Sequence, residues 1–277
     1  MLLFHGLSSS PLELQFVARG LNRAGFTVKA PVLTGYTFGS FGGATTTARS
    51  WVAAALKELD QMLGECDSVA IGGLCLGAVL ALRLASLRSD RLSALLCLST
   101  ALHYDGWANP WYTRLLPLAR YTPFARRISI REREPFGLKD ERMRAWVARQ
   151  MVAAGESDAG AAALSVAELL KARDLIALAR GSLADITAPT LLIHAREDEC
   201  ATPRSSYEVA DRISASRIRL ALLTDSYHMV SIDREKDAVL AEILQFLSHG
   251  SEKSPADRSA EPVKVHALFP NRKHIEP

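Results

Sequence analysis

Short, continuous apolar runs alternate along this chain with stretches of helical periodicity. Met1–Phe4 is apolar throughout, and Leu12–Ala24 then places Leu14, Val17, Leu21 and Ala24 on one side before Gly25 stops the pattern. Phe26–Pro31 reads as a short strand, and Thr34–Thr46 is Gly-rich and aromatic. Ser50 opens a helix that runs to about Met62. Ser68–Ile71 is a strand, Leu76–Ser86 a helix and Ala94–Leu98 a buried strand, and the same rhythm returns with Thr190–Ala195, Arg217–Leu223 and a last helix over Glu235–Leu247. Strands that are apolar on both faces and alternate with helices predict a parallel sheet covered by helices, an α/β fold.

The rhythm breaks between Ala101 and about Asp185. Aromatic residues and prolines lead there into helical segments around Arg142–Ala153 and Ala159–Ala179, and no strand is visible. The expected organisation is a core over residues 1–100 and 186–248, a helical lid inserted over 101–185, and a polar, proline-punctuated, loosely ordered tail over 249–277. Extra helices packing on one face of the sheet are the alternative to a lid. The chain begins inside its core, so the sheet edge at Met1 needs covering, and a homodimer is one way to cover it.

Composition narrows the class. With 277 residues, 48% of them hydrophobic, the chain can bury a large core. Its formal charge is only +3 and its basic residues are dispersed or interleaved with glutamates, which argues against a nucleic-acid partner. The four cysteines, at 66, 75, 97 and 200, have no CxxC spacing, and no Cys/His set has metal-ligand spacing. No metal or other cofactor is called for. A reducing compartment fits these thiols, and neither a signal-peptide pattern nor a span-length apolar stretch is present, so a cytoplasmic location is expected.

The chemistry lies in Val69-Ala-Ile-Gly-Gly-Leu-Cys-Leu-Gly77, an apolar run that bends at glycines and resumes as a helix. Gly73-x-Cys75-x-Gly77 has the form of a nucleophile elbow, whose strained strand-to-helix turn exposes the central side chain and needs glycines where a Cβ would strike backbone. Here that side chain is a thiol. Neither a dinucleotide fingerprint nor a Gly-Lys-Ser/Thr phosphate loop occurs in the chain. Cys97, inside an apolar strand, reads as an inert buried thiol.

A nucleophile at neutral pH needs a base, and the base needs an orienting acid. Arg196-Glu-Asp-Glu-Cys-Ala-Thr-Pro203 follows one strand, and Thr224-Asp-Ser-Tyr-His-Met229 follows the next. Both loops lie at the carboxyl ends of strands, where open α/β sheets place their sites. Glu197, Asp198 and Glu199 are all candidate acids, and His228 is the candidate base. His5, in His5-Gly6, reads as a brace for its loop, and His194 as a satisfied core histidine.

With His5-Gly6-Leu7, Gly73-x-Cys75-x-Gly77, Glu197-Asp198-x-x-Ala201-x-Pro203 and Ser226-x-His228 in this order, the chain resembles α/β-hydrolases of the bacterial carboxylesterase and monoacylglycerol-lipase group along most of residues 1–248. The resemblance implies Cys75 as nucleophile, where the family has serine, His228 as base and Asp198 as orienting acid. It also implies backbone N–H donors at Leu7 and Leu76 for the substrate oxyanion. Such a site would form a thioester on Cys75, which water can hydrolyse or an acceptor can take over. Hydrolysis of an apolar acyl ester or thioester, acyl transfer from a carrier thioester, and a non-catalytic acyl-binding role are therefore the three readings. The partner in each is a small-molecule acyl compound, free or carrier-bound. Tyr36, Phe38, His103, Trp107 and Trp111 are the candidate substrate contacts, with packing of the lid onto the sheet an equally simple account of the aromatic ones.

Overall fold

The computed structural model describes residues 1–40, 46–116, 128–154, 156–157, 160–161, 163–248 and 264–267. Its strands are β1 (Leu2–Phe4), β2 (Val69–Leu74), β3 (Leu92–Leu98), β4 (Ser129–Arg131), β5 (Glu156–Ser157), β6 (Gly160–Ala161), β7 (Ala163–Ser165), β8 (Thr190–Ala195), β9 (Ile218–Leu223) and β10 (Lys264–Ala267). The α-helices are α1 (Gln15–Arg23), α2 (Ala48–Glu65), α3 (Leu76–Arg88), α4 (Glu141–Ala154), α5 (Val166–Arg180), α6 (Arg204–Arg212) and α7 (Lys236–Ser248). Six strands form one sheet in the order β1-β2-β3-β8-β9-β10, and every neighbouring pair is parallel.

Because side chains alternate across a strand, the sheet feeds two cores. Ile71, Leu95, Cys97 and Leu192 pack with Trp51, Ala55 and Leu59 of α2 and with α3 on one face. Leu74, Leu96, Leu98, Leu191 and Ile193 pack with Val17 and Leu21 of α1 and Val239, Ile243 and Phe246 of α7 on the other. Helix α3 is buried nearly all round, as its uniformly apolar first seven residues require.

Three expectations change. Phe26–Pro31 is not a strand: only Lys29 bridges to β1, through Leu3 N–H to Lys29 O and Lys29 N–H to Met1 O, each at 2.9 Å. Pro31 has no N–H with which to continue a ladder. That short contact nonetheless lies along the free side of β1. The 101–185 block contains strands as well as helices, with β4 antiparallel to β7 and β5 antiparallel to β6. Its second helix begins at Val166 because Ser165 and Glu168 form a reciprocal cap, and Ala172, Leu175, Ile176 and Ala179 of that helix belong to the core over α3. Within the polar tail, Lys264–Ala267 pairs with β9 as a sheet strand, and the other residues from 249 onward lie outside the described residues.

Glycines decide how closely β1 approaches the start of α3. A Cβ on Gly73 would lie 2.6 Å from Phe4 O, and one on Gly77 would lie 2.5 Å from His5 O and still closer to Phe4 O. Gly64, in α2, has open space around it. Gly77→Ala is therefore expected to destabilise by about 3 kcal/mol in urea unfolding, whereas Gly64→Ala is expected to stabilise by about 0.5–1 kcal/mol. Equal midpoints for the two variants would contradict the close-approach account.

Candidate active site

Strand β2 ends at Leu74 and α3 begins at Leu76, so Cys75 alone makes the bend. Its φ of 58° with ψ of −119° is a conformation that L side chains rarely adopt, held by Cys75 N–H on Leu98 O at 3.0 Å. The thiol is half-buried. Cys97 is fully buried and its thiol is pushed up to about 12 by desolvation, the state of a packing residue.

The loop after β8 carries Asp198, whose carboxylate is fully engaged. Oδ1 accepts from the backbone N–H of Cys200 at 2.9 Å and of Ala201 at 2.8 Å. Oδ2 lies 2.7 Å from His228 Nδ1 and 3.2 Å from His194 Nε2. Glu197 points outward to Lys139 Nζ at 2.6 Å, and Glu199 accepts the backbone N–H of His228 at 3.1 Å. Of the three adjacent carboxylates, only Asp198 is hydrogen-bonded to the His228 ring.

That hydrogen bond places a proton on His228 Nδ1 and leaves Nε2 as the other ring nitrogen, buried and without a hydrogen-bond partner. Burial pushes His228 down, but the facing Asp198 carboxylate, together with Cys200 and Cys75, holds the imidazolium well above the usual histidine range. Burial likewise pushes Asp198 up, and His228 together with His194 reverses this to hold it well below the usual carboxylate range. Cys75 and Cys200 are both within electrostatic reach of His228. Among the described residues no direct hydrogen bond joins Cys75 to His228.

The loop carrying His228 is pinned by two further carboxylates. Asp233 accepts from Tyr227 N–H at 2.7 Å and from the backbone N–H groups of Lys139 and Asp140 at 2.9 Å each. Glu235 accepts from Asp225 N–H and from Ser226 Oγ, both at 2.8 Å.

On the opposite side lies the loop after β1. The backbone N–H groups of Leu7 and Leu76 are given to no acceptor among the described residues. His5 Nδ1 donates to Gly6 O at 2.7 Å and Nε2 meets Thr37 Oγ1 at 2.8 Å; burial drives its pKa down to about 4, so the ring is a neutral brace. His194 is satisfied by Ser206 Oγ and Ala201 O, each at 2.7 Å, and adds its contact to Asp198.

A cavity of about 490 Å³ reaches Glu199 and Cys200, next to Asp198 in the chain, while Cys75 and His228 themselves are not among its lining residues. Tyr104, Glu199 and Cys200, from the loops after β3 and β8, form one wall, and Ile130, Phe136, Leu164 and Ile176 contribute apolar surface. His103 lines it and is tied to Glu208 at 2.6 Å. The other four candidate contacts do not line it. Tyr36 is buried against Trp51 with its hydroxyl donated to His5 O, and Phe38 is held on the β1 side by its N–H to Ser9 O. Trp107 and Trp111 are 64% and 75% exposed and pack edge-on against Tyr227 and Tyr112. Sequence reading missed Tyr104 and Cys200 in the wall, and also Glu13 beneath the β1 loop. Only three-dimensional convergence marks the first two, while Glu13 had a faint signal as an acidic residue on an otherwise apolar helical face.

Among the described residues no His, Cys, Asp or Glu group is placed to hold a metal ion, and no helix is long and apolar enough to cross a membrane.

The chain is similar to the thermostable monoacylglycerol lipase of Bacillus sp. (strain H-257), with 22% identity over 256 residues and 90% of each chain covered. It is 24% identical over 250 residues to a carboxylesterase of Bacillus subtilis (strain 168), covering 89% of this chain and 91% of that one. Among solved structures, one from work on the metagenome-derived lipolytic enzymes LipS and LipT superposes with a TM-score of 0.73 at 24% identity, covering 90% of this chain and 92% of that one. The family described as Serine aminopeptidase, S33 matches residues 1–235. The fold, with its strand-to-helix elbow at residue 75, and this match over most of the chain establish that the protein belongs to that family of α/β-hydrolases, with cysteine at the apex of its elbow.

Proposed function

We propose that this protein hydrolyses a carboxylic ester or thioester of an apolar acyl group through an acyl-cysteine intermediate on Cys75. The observation that carries the reading is the buried 2.7 Å bond from His228 Nδ1 to Asp198, which leaves Nε2 unpartnered next to the strained Cys75 elbow. The relatives named as a monoacylglycerol lipase and a carboxylesterase support the ester as the bond attacked, and the largely apolar cavity supports the acyl group.

In this mechanism the Cys75 proton rests on His228 Nε2, giving a thiolate beside the imidazolium that Asp198 stabilises, and Cys75 Sγ attacks the acyl carbon. The carbonyl oxygen becomes an oxyanion held by the Leu7 and Leu76 N–H groups. Collapse breaks the bond to the alcohol or thiol, which leaves with the proton from Nε2. Water then attacks the Cys75 thioester, giving its proton to Nε2. Cleavage of the C–S bond releases the acid, and the proton stays on Nε2 beside the restored thiolate. Asp198 stays ionised throughout, keeping the imidazole oriented and stabilising its cation.

Hydrolysis of an activated short-chain acyl ester and of an acyl thioester is expected in the parent, and Cys75→Ala is expected to lower either rate by at least about 10³-fold. Rates unchanged in that variant would contradict the mechanism. Added amines, alcohols and thiols are expected to leave the free acid as main product; diversion into their acyl derivatives would establish acyl transfer instead.

The ion pair gives a pH prediction. His228 is held above its ordinary value by Asp198, so this contribution to stability is complete below about pH 6.5 and is lost as pH rises through the folded-state value. In Asp198→Asn the imidazole ring signal in NMR is expected to titrate at markedly lower pH than in the parent, with kcat falling about 10³- to 10⁴-fold. An unmoved titration would show that Asp198 does not control this ring.

A further inference from the structure

We propose that Glu13 is a positioning residue for the reaction: its buried carboxyl group ties Gly6 to Ser9 from beneath and so fixes the peptide that presents the Leu7 N–H. This rests on the reading of Leu7 as an oxyanion donor.

Glu13 stands in the short 3-10 turn Pro11–Leu14, directly after the loop it holds, and is 1% exposed. Its Oε1 accepts the Gly6 N–H, and its Oε2 accepts the Ser9 hydroxyl at 2.5 Å. The two ties bracket Leu7 and Ser8. They are needed because Ser8 has a φ of 49°, a left-handed conformation that a serine does not hold without surrounding constraint. The Ser8 N–H is itself fixed on Tyr36 O at 3.0 Å, and His5 braces the same loop from the other side. Leu7 is left between these anchors with its N–H unspent.

The position is also close to the reacting group. A Cβ built on Gly6 would lie 3.4 Å from Glu13 Oε1 and 3.5 Å from Cys75 Cβ, so the carboxyl and the elbow both adjoin Gly6. A surface residue could not make such a tie, and a buried one is costly: no Lys or Arg is bonded to this carboxyl among the described residues. The titratable groups facing it are His228 from the loop after β9, Cys75 at the elbow and Tyr36 from the loop before α2. Burial raises Glu13 to about 7, opposed in part by the Ser9 and Gly6 hydrogen bonds and by His228. Both ties survive protonation, since the Ser9 hydroxyl can turn to accept the carboxyl proton while Gly6 keeps the other oxygen. An amide can form the same pair of bonds.

The test follows acylation of Cys75 by an activated acyl ester, using single-turnover intact-mass measurements with steady-state kcat and KM alongside. Parent, Cys75→Ala, Glu13→Gln, Glu13→Asp and Glu13→Ala proteins are compared. Glu13→Gln is expected to acylate within about threefold of the parent. Glu13→Ala is expected to acylate about 100-fold more slowly, as loss of an oxyanion donor would dictate, with KM little changed. Glu13→Asp, too short to span both ties, is expected to fall between them and provides the comparison if the alanine variant does not fold. Stability of the parent is expected to decline as pH rises from about 4.5 through about 7, because the buried acid binds its proton more tightly when folded; Glu13→Gln is expected to lose that slope. A parent that acylates while the alanine and aspartate variants match its rate overturns the role of Glu13 alone. A glutamine variant as slow as alanine overturns the hydrogen-bonding account. A parent that gains no adduct beyond Cys75→Ala overturns the acyl-cysteine reading and this inference with it.

Discussion

The carbonyl ends of β1 press against the turn between β2 and α3 so closely that only glycine fits at 73 and 77. That contact fixes where Cys75 stands. With backbone on both sides, the chain turns within one residue, and Cys75 takes a positive φ that carries its side chain away from the packed sheet. The same contact brings the loop after β1 beside the thiol, so Leu7 and Leu76 offer their N–H groups from two segments far apart in sequence. In the proposed mechanism these donors are preorganised, so they would stabilise charge developing over Cys75 without reorganising during the reaction.

The other half of the site is organised by carboxylates. Asp198 saturates its acceptor sites with two backbone N–H groups and two histidines, which fixes the His228 tautomer as well as its position. Asp233 and Glu235 fold the loop carrying His228 back on itself, and Asp233 ties it to the start of α4. Each of these acids is satisfied by hydrogen bonds, which lets so many anionic groups gather near one thiol. Glu13 and Glu199 are the exceptions in charge rather than in bonding, since burial raises both above ordinary glutamates.

How much of this was legible depended on sequence distance. The elbow could be read because its strand, glycines and helix are contiguous, and Asp198 and His228 because each follows a recognisable strand. Choosing Asp198 over Glu197 and Glu199 rested on motif register alone; the hydrogen bond to the His228 ring separates them physically. Trp107 and Trp111 looked like pocket residues by type, yet they lie exposed, because aromatic character does not encode the direction a loop takes. The β4–β7 pair escaped notice because three-residue strands carry almost no periodic signal, and their partners lie more than thirty residues apart. Glu13 carried only a faint signal, because the Gly6 and Ser9 groups that bind its carboxyl are brought to it by the turn of the chain and not by any periodicity.

The thiol at the elbow is not alone, since Cys200 lines the cavity and also lies within electrostatic reach of His228. Burial raises the Cys200 thiol well above the ordinary range, so the account assigns nucleophilicity to Cys75. The most direct measurement is fragment-level mass mapping of the acyl group after rapid acid quench of the protein with an activated acyl thioester. The account predicts the acyl mass on Cys75 and none on Cys200; an acyl group found on Cys200 with Cys75 unmodified would contradict it.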